Sequence, residues 1–489
     1  MDGSSRAARI LVASNRGPVA YSVGDDGELR SRRGGGGVVS GLSAIESDSA
    51  SLWVCAALTE GDREAVRRGV GEPGSRMIAV DPDVFHAAYN DVANSVLWFV
   101  HHMLYQTPLE PAFDDDFRTQ WAAYEAYNAA FADALAEEAA PGASVLVQDY
   151  HLVLVPSLLR ERRPDLRIGH FSHTPWAPPD YFRLLPDDIA AAVLEGVLGA
   201  DRAAFLTRRW ADAFAACCAD ILGATVSDDG RSVTHRGRTT RLGVHGLGAD
   251  GDFLRERAHR DDVAERMTAL RAETGPGRRL IVRVDRTELS KNIVRGLYAY
   301  RRLLADHPGW RSRVVHVAFA YPSRQDLTVY REYTEEVGRV AAEINAEFGT
   351  ADWQPVLLKV DDDFARSLAA YRLADVALVN PIRDGMNLVA KEMPVVSDNG
   401  VALVLSREAG AYAELGDDAI VVNPYDVRAT AEALNTALTL PDAERADRTK
   451  RLAAAATALP PTQWFLDQVT ALAEDTGAEE TRAEDGDAS

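Results

Sequence analysis

Short apolar runs recur along the chain, separated by polar, charged or glycine-rich segments. In the first half Ile10–Ala13, Leu52–Leu58, Ser144–Gln148, Ile168–Ser172 and Arg202–Thr207 read as strands. In the second half Leu280–Val284, Val314–Ala320, Val356–Val360, Val376–Asn380, Val401–Leu405 and Ala419–Val422 do the same. The runs are continuous rather than alternating, as in parallel strands covered on both faces. Helical patterns lie between them, and strand–helix alternation in both halves predicts an α/β chain of two doubly wound domains. A glycine-rich stretch from Gly243 to Gly251, followed by a charged segment from Arg255 to Arg278, marks the hinge. The expected division is a loose terminus over 1–8, a first domain over 9–245 and a second over 246–460. A helix over 461–473 then packs back on the body, and an acidic tail over 474–489 is expected to be disordered.

Composition narrows the partners. A chain of 489 residues suits two or three domains, and 46% hydrophobic with 26% charged residues is ordinary for globular proteins. The formal net charge is −21, which argues against nucleic acid or an anionic membrane surface. An anionic ligand must then be met by local arginines and backbone amides. Cys55, Cys217 and Cys218 make neither a disulfide framework nor a metal site. Without a signal peptide or a membrane-length apolar run, a cytoplasmic location is expected.

Candidate chemistry sits at strand ends. After the run Asp375–Asn380 comes Arg383-Asp384-Gly385-Met386-Asn387-Leu388-Val389-Ala390-Lys391-Glu392. Pro381 and Gly385 break the chain, and a helix is expected from Met386 onward. Its first amides are unpaired and carry partial positive charge, which suits an anion. Asp384 is suited to accept hydrogen bonds from sugar hydroxyls, and Glu392 to reach a second diol. An ordinary capped turn has the same sequence signature.

After Leu280–Val284, Arg286 and Lys291 on one loop form a two-cation clamp for a diphosphate. Only four of the 53 basic residues are lysines, and Lys291 and Lys391 fall in these two stretches. The run Gly34–Gly37 lets backbone amides, with Gly36 and Gly37 the candidates, approach a ligand. A dinucleotide fingerprint is rejected, because a long polar loop separates these glycines from the preceding strand.

Asp149, Tyr150 and His173 lie at the carboxyl ends of parallel strands, where open α/β sheets bind ligands. Tyr89 and Trp98 lie on a helical segment and read equally as core aromatics. His101 and His102 have no further ligand spaced to complete a metal site. The Asp-Asp-Asp-Phe runs at 114–117 and 361–364 read as helix starts, so no metal is expected.

On these residues the chain resembles the retaining glycosyltransferases of the trehalose-6-phosphate synthase type, family 20, with the GT-B fold. The matching pieces are Asp384–Glu392, the Asp-Arg-x-x-x-Ser-Lys loop over 285–291, Ser14-Asn15-Arg16, and Tyr89-Asn90 with Asn94–Trp98. Asp149-Tyr150-His151, His173-Thr174-Pro175, Pro322-Ser323-Arg324 and Asn423-Pro424-Tyr425-Asp426 complete the set, which spans about Ile10 to Phe465.

The resemblance implies two Rossmann-like domains facing each other across a cleft. It implies transfer of glucose from a nucleoside diphosphate glucose to glucose 6-phosphate, giving α,α-trehalose 6-phosphate without a cofactor. Arg286 and Lys291 would hold the diphosphate, with amides over Gly385–Val389. Asp384 and His173 would contact the donor sugar, Glu392 the ribose, and Gly36 and Gly37 would belong to a loop closing over the donor. Arg16, Tyr89, Trp98, Tyr150 and Arg324 would form the acceptor pocket, with Asp149 on the acceptor's hydroxyls.

Three positions depart from the common pattern: Ala56 replaces a pocket Trp, Glu288 an Asp, and Asn292 a Gly. The Arg- and Ala-rich composition resembles actinobacterial members, which leans the donor toward GDP-glucose over UDP-glucose. Ala56 keeps open another phosphorylated acceptor, such as glycerol 3-phosphate or a cyclitol phosphate. A non-catalytic sugar-phosphate sensor is the other alternative, and a homo-oligomer is possible.

Overall fold

The computed structural model describes residues 7–33 and 51–486, with side chains as far as 474. The chain divides into two compact units, Met1–Leu247 with Pro461–Ser489, and Gly248–Pro460. Each is built on one sheet, mainly parallel in the first unit and wholly parallel in the second.

In the first unit the strands are β1 (Ala8–Ser14), β2 (Val19–Val23), β3 (Leu29–Arg33), β4 (Ser51–Ala56), β5 (Ser75–Ile78) and β6 (Ala139–Gln148). They continue with β7 (Arg167–Ser172), β8 (Arg202–Phe205), β9 (Thr225–Val226), β10 (Ser232–His235) and β11 (Arg238–Val244). The nine-stranded sheet runs β5-β4-β1-β6-β7-β8-β11-β10-β9, and β2 pairs with β3 apart from it. Neighbours in the run β5-β4-β1-β6-β7-β8-β11 are parallel, while β10 pairs antiparallel with β11 and β9 at the edge.

The second unit adds β12 (Arg279–Arg286), β13 (Val314–Tyr321), β14 (Val356–Lys359), β15 (Val376–Val379), β16 (Ala402–Ser406) and β17 (Ile420–Val422). All six are parallel, in the order β14-β13-β12-β15-β16-β17. This is the Rossmann order, with the direction of winding reversing between β12 and β15. In the first sheet it reverses between β1 and β6. Loops at the carboxyl ends of strands beside a switch point diverge and leave a crevice, so topology alone selects the segments after β1, β6, β12 and β15.

Two expectations change. The helix Pro461–Gly486 runs well past residue 473, so the acidic segment from Glu474 to Gly486 is helical backbone rather than a disordered tail. Alanine and glutamate are strong helix formers, and composition alone weighed only their charge. The segment around Tyr89 is helical, but residues Ala87–Leu97 form a π-helix between two short α-helical pieces. The Asp-Asp-Asp-Phe runs do start helices: Asp114 caps Phe117 N–H at 3.1 Å and Asp363 caps Arg366 N–H at 3.0 Å.

No helix among the described residues is long and apolar enough to cross a membrane.

Candidate active site

Gly36 and Gly37 lie outside the described residues; the other sequence-selected positions are placed, in two groups.

In the first unit, Asn15 and Arg16 follow β1, and Asp149 follows β6. Arg16 is exposed. Asn15 is buried, and its Oδ1 accepts from the Tyr127 hydroxyl at 2.6 Å. Asp149 has φ 72° and ψ 174°, a region that residues with a Cβ enter only under strain. Its Oδ1 accepts the His173 N–H at 3.2 Å, which ties the end of β6 to the end of β7.

The His173 Nε2 lies 2.9 Å from Gln148 Oε1, and the ring packs against Phe171 and Trp464. Burial, with His170 adding to it, pulls the His173 pKa down to about 3. The imidazole is therefore neutral at pH 7 and contributes hydrogen bonds rather than charge. Trp464 comes from the terminal helix, which packs on β7 and β6. Nothing in the sequence near His173 signals this support, because the partner lies almost 300 positions away.

Tyr89 is half-buried and stacks on Phe85 and His151, with centroids 5.3 and 5.5 Å apart. Trp98 stacks on His102 at 3.8 Å and is only 8% exposed. Tyr150, also expected on the acceptor side, packs next to Trp98. Its ring is buried beside Trp98, and its hydroxyl donates to Asn94 Oδ1 at 2.8 Å. A sequence match marks the position but cannot tell which of three adjacent side chains turns inward. His101 and His102 are buried packing residues, with His101 against Trp176 and the His102 Nδ1 2.9 Å from Trp98 O.

In the second unit, Arg286 and Lys291 follow β12, and Asp384 follows β15. Both cations expected of the clamp have an acidic neighbour. Lys291 Nζ bonds Asp384 Oδ2 at 2.6 Å, and exposed Arg286 lies 3.3 Å from the fully buried Glu288 carboxylate. Each cation carries a fixed counter-charge that also aims it. Burial works against the charged Lys291, but Asp384, Glu288 and Asp285 outweigh it and hold its pKa above the usual lysine value. Lys291 is thus a permanent cation.

Asp384 also accepts from Asn387 Nδ2 at 3.1 Å on the same Oδ2. The helix begins at Leu388 rather than Met386, capped by Asn387, whose Oδ1 accepts Ala390 N–H at 3.2 Å. Asn387 holds φ 75°, and Met386 is buried. Leu388 and Val389 are therefore the first-turn residues at the site. Lys391 points inward, fully buried against Glu414 at 2.7 Å.

A cavity of about 220 Å³ is lined by Asp285, Arg286, Lys291, Tyr321, Leu388 and Glu392, among others. Burial raises the Glu392 carboxyl to about 7, opposed by the Tyr371 hydroxyl 3.4 Å away. Arg324 belongs to this unit, not to the first. It holds φ 49°, and its guanidinium donates to the Tyr330 hydroxyl at 2.7 Å. Its neighbour Ser323 donates to Glu288 Oε1 at 3.2 Å, so one buried carboxylate joins the loops carrying Arg286 and Arg324. Sequence reasoning missed this link; only the unusual Glu at 288 hinted at it. Among the described residues, no His, Cys, Asp or Glu are grouped to hold a metal ion.

The family model for Glycosyltransferase family 20 matches residues 8–474. An Aspergillus fumigatus alpha,alpha-trehalose-phosphate synthase, named UDP-forming, is 33% identical over 456 residues, covering 91% of this chain and 86% of that one. A solved Escherichia coli trehalose-6-phosphate protein bound with UDP-2-fluoro glucose is 27% identical at a TM-score of 0.83, covering 95% of this chain and 99% of that one. A UDP-forming synthase from Burkholderia xenovorans in complex with glucose-6-phosphate has 27% identity and a TM-score of 0.82, over 95% and 100%. With a matched family model over nearly its whole length and a GT-B architecture in common with these structures, the chain belongs to glycosyltransferase family 20.

Proposed function

We propose that the protein is a retaining glucosyltransferase that moves glucose from UDP-glucose to glucose 6-phosphate, giving α,α-trehalose 6-phosphate and UDP. The observation that carries this reading is the Lys291–Asp384 pair at the switch point of the second sheet. It sets a permanent cation, which lines the cavity of about 220 Å³, beside a carboxylate. The lean toward GDP-glucose from composition is withdrawn, because the relatives are named UDP-forming and a solved neighbour is bound with a UDP-sugar.

In this reading Lys291 and Arg286, with the Leu388 and Val389 amides, stabilise the charge that grows on the departing diphosphate. The bond between the anomeric carbon and the phosphate oxygen breaks with its electron pair going to that oxygen. The acceptor hydroxyl attacks the same face and passes its proton to the leaving oxygen. Among the described site residues Asp384 is ion-paired to Lys291, which does not suit the nucleophile of a double displacement. Asp384 and neutral His173 bind donor-sugar hydroxyls, Glu392 takes the ribose diol, and Arg16, Tyr89, Trp98, Asp149 and Arg324 serve the acceptor.

The test is release of nucleoside diphosphate with UDP-, GDP- and ADP-glucose crossed against glucose 6-phosphate, glycerol 3-phosphate and no acceptor. Release is expected with UDP-glucose and glucose 6-phosphate together. Release only with another acceptor overturns the acceptor assignment and traces to Ala56, which is buried at the end of β4. No release in any combination leaves only a sensor.

Glu392 gives this reading a pH signature. Its folded pKa of about 7 lies above the ordinary glutamate value. The stability that neutral Glu392 contributes is therefore complete below the unfolded pKa and is lost as pH rises through about 7. Binding a diol favours the carboxylate, so the KM for UDP-glucose should fall as pH rises from 6 to 8 by about three- to tenfold. Glu392→Gln should flatten that dependence and raise the KM about tenfold. An unchanged pH profile in the variant removes Glu392 from the donor site.

A further inference from the structure

The residue after Lys291 is Asn292, where the resemblance places glycine. Its backbone is left-handed, φ 58° and ψ 39°, a conformation that asparagine accepts better than other residues with a side chain. Glycine would satisfy that backbone without strain, so the asparagine side chain needs another reason. It is 2% exposed and every polar atom is used. Nδ2 donates to Asn380 O and to Pro424 O, both at 2.9 Å, and Oδ1 accepts from Arg295 Nη1 at 3.0 Å.

Asn380 answers with its own Nδ2 on Asn292 O at 3.3 Å, making a reciprocal amide pair. These bonds join the loop after β12 to the end of β15 and to the loop after β17. The first two are the loops that carry Lys291 and Asp384. Behind them the fully buried Arg283 donates to Asn380 Oδ1 at 3.2 Å and to Lys291 O at 2.9 Å, and its own charge is met by Asp285 at 2.7 Å. Ile382 N–H donates to Ser290 O at 2.8 Å across the same gap.

We propose that Asn292 is a positioning residue for the donor site, a side-chain knot that fixes the Lys291 loop in register with the Asp384 loop so that the ion pair is preset for the diphosphate. This rests on the reading of Lys291 as a donor-binding residue. Binding to preset groups avoids the cost of ordering them in the complex. The side chain touches no reacting atom, so its loss weakens donor binding and leaves acceptor binding alone.

The experiment compares wild type, Asn292→Gly and Thr449→Val. Thr449 makes comparable buried bonds to Val401 at the opposite end of β16, away from the donor loops. Calorimetric titration with UDP and steady-state kinetics are read beside the melting temperature. Asn292→Gly is expected to weaken UDP binding and raise the UDP-glucose KM about tenfold, with the glucose 6-phosphate KM unchanged. Thr449→Val is expected to lower the melting temperature without altering UDP affinity. Equal UDP affinity in wild type and Asn292→Gly overturns the proposal, and so does an equal loss in both variants, which marks a merely structural role. Wild type that binds no UDP overturns the donor reading itself, and the proposal with it.

Discussion

Lys291→Met should lower kcat/KM by about three powers of ten, the effect of removing one preorganised charge from a leaving group. The same change should cost about 3 kcal/mol or more of stability, because the Asp384 carboxylate is left buried without its cation. Asp384 is 8% exposed and bonds Lys291 at 2.6 Å, so water cannot readily replace the ammonium. The two effects separate in the double variant Lys291→Met/Asp384→Asn. With the stranded charge gone, most of the stability should return while activity stays at the level of the single variant or below. Denaturant titration and initial rates on the same preparations check this. Activity in Lys291→Met within tenfold of wild type would contradict the role of the cation.

The second large effect is at Asp149, where activity and backbone strain coincide. Held at φ 72° and ψ 174°, it occupies a region open to glycine and costly, by about 1–3 kcal/mol, for any residue with a Cβ. Asp149→Ala should lose the Oδ1 bond to His173 N–H and keep the strain. Asp149→Gly loses the same bond but relieves the strain. The glycine variant should therefore be more stable than the alanine variant by about 1 kcal/mol, reversing the ordinary order of the two residues. Both should lose kcat/KM by about a hundredfold or more, as each removes a positioned acceptor on the sugar side and frees the His173 backbone. An alanine variant at least as stable as the glycine variant would show that the backbone here carries no strain.

Most of the parallel strands could be read from the chain, since strands covered on both faces appear as unbroken apolar runs. Such a run identifies β12 or β15 without reference to a partner. The polar hairpin β9–β11 escaped, because Ser232–His235 and Arg238–Val244 carry threonine, arginine and histidine rather than an apolar run. So did the short β5, Ser75–Ile78. At the site, the residues at strand ends were legible because topology and motif both point to them. Their pairing was not. Nothing in the sequence says that Lys291 meets Asp384 across 93 positions, or that Tyr150 turns inward to Asn94. Such contacts depend on which way a loop folds over a sheet edge, and that is decided by packing rather than by local pattern.

Glucosyl transfer with retention to glucose 6-phosphate is read out by proton NMR of the disaccharide formed from UDP-glucose and glucose 6-phosphate. A single new non-reducing product with both anomeric centres α is expected, appearing in step with UDP. A β centre in the product, or UDP released with free glucose and no disaccharide, would contradict it.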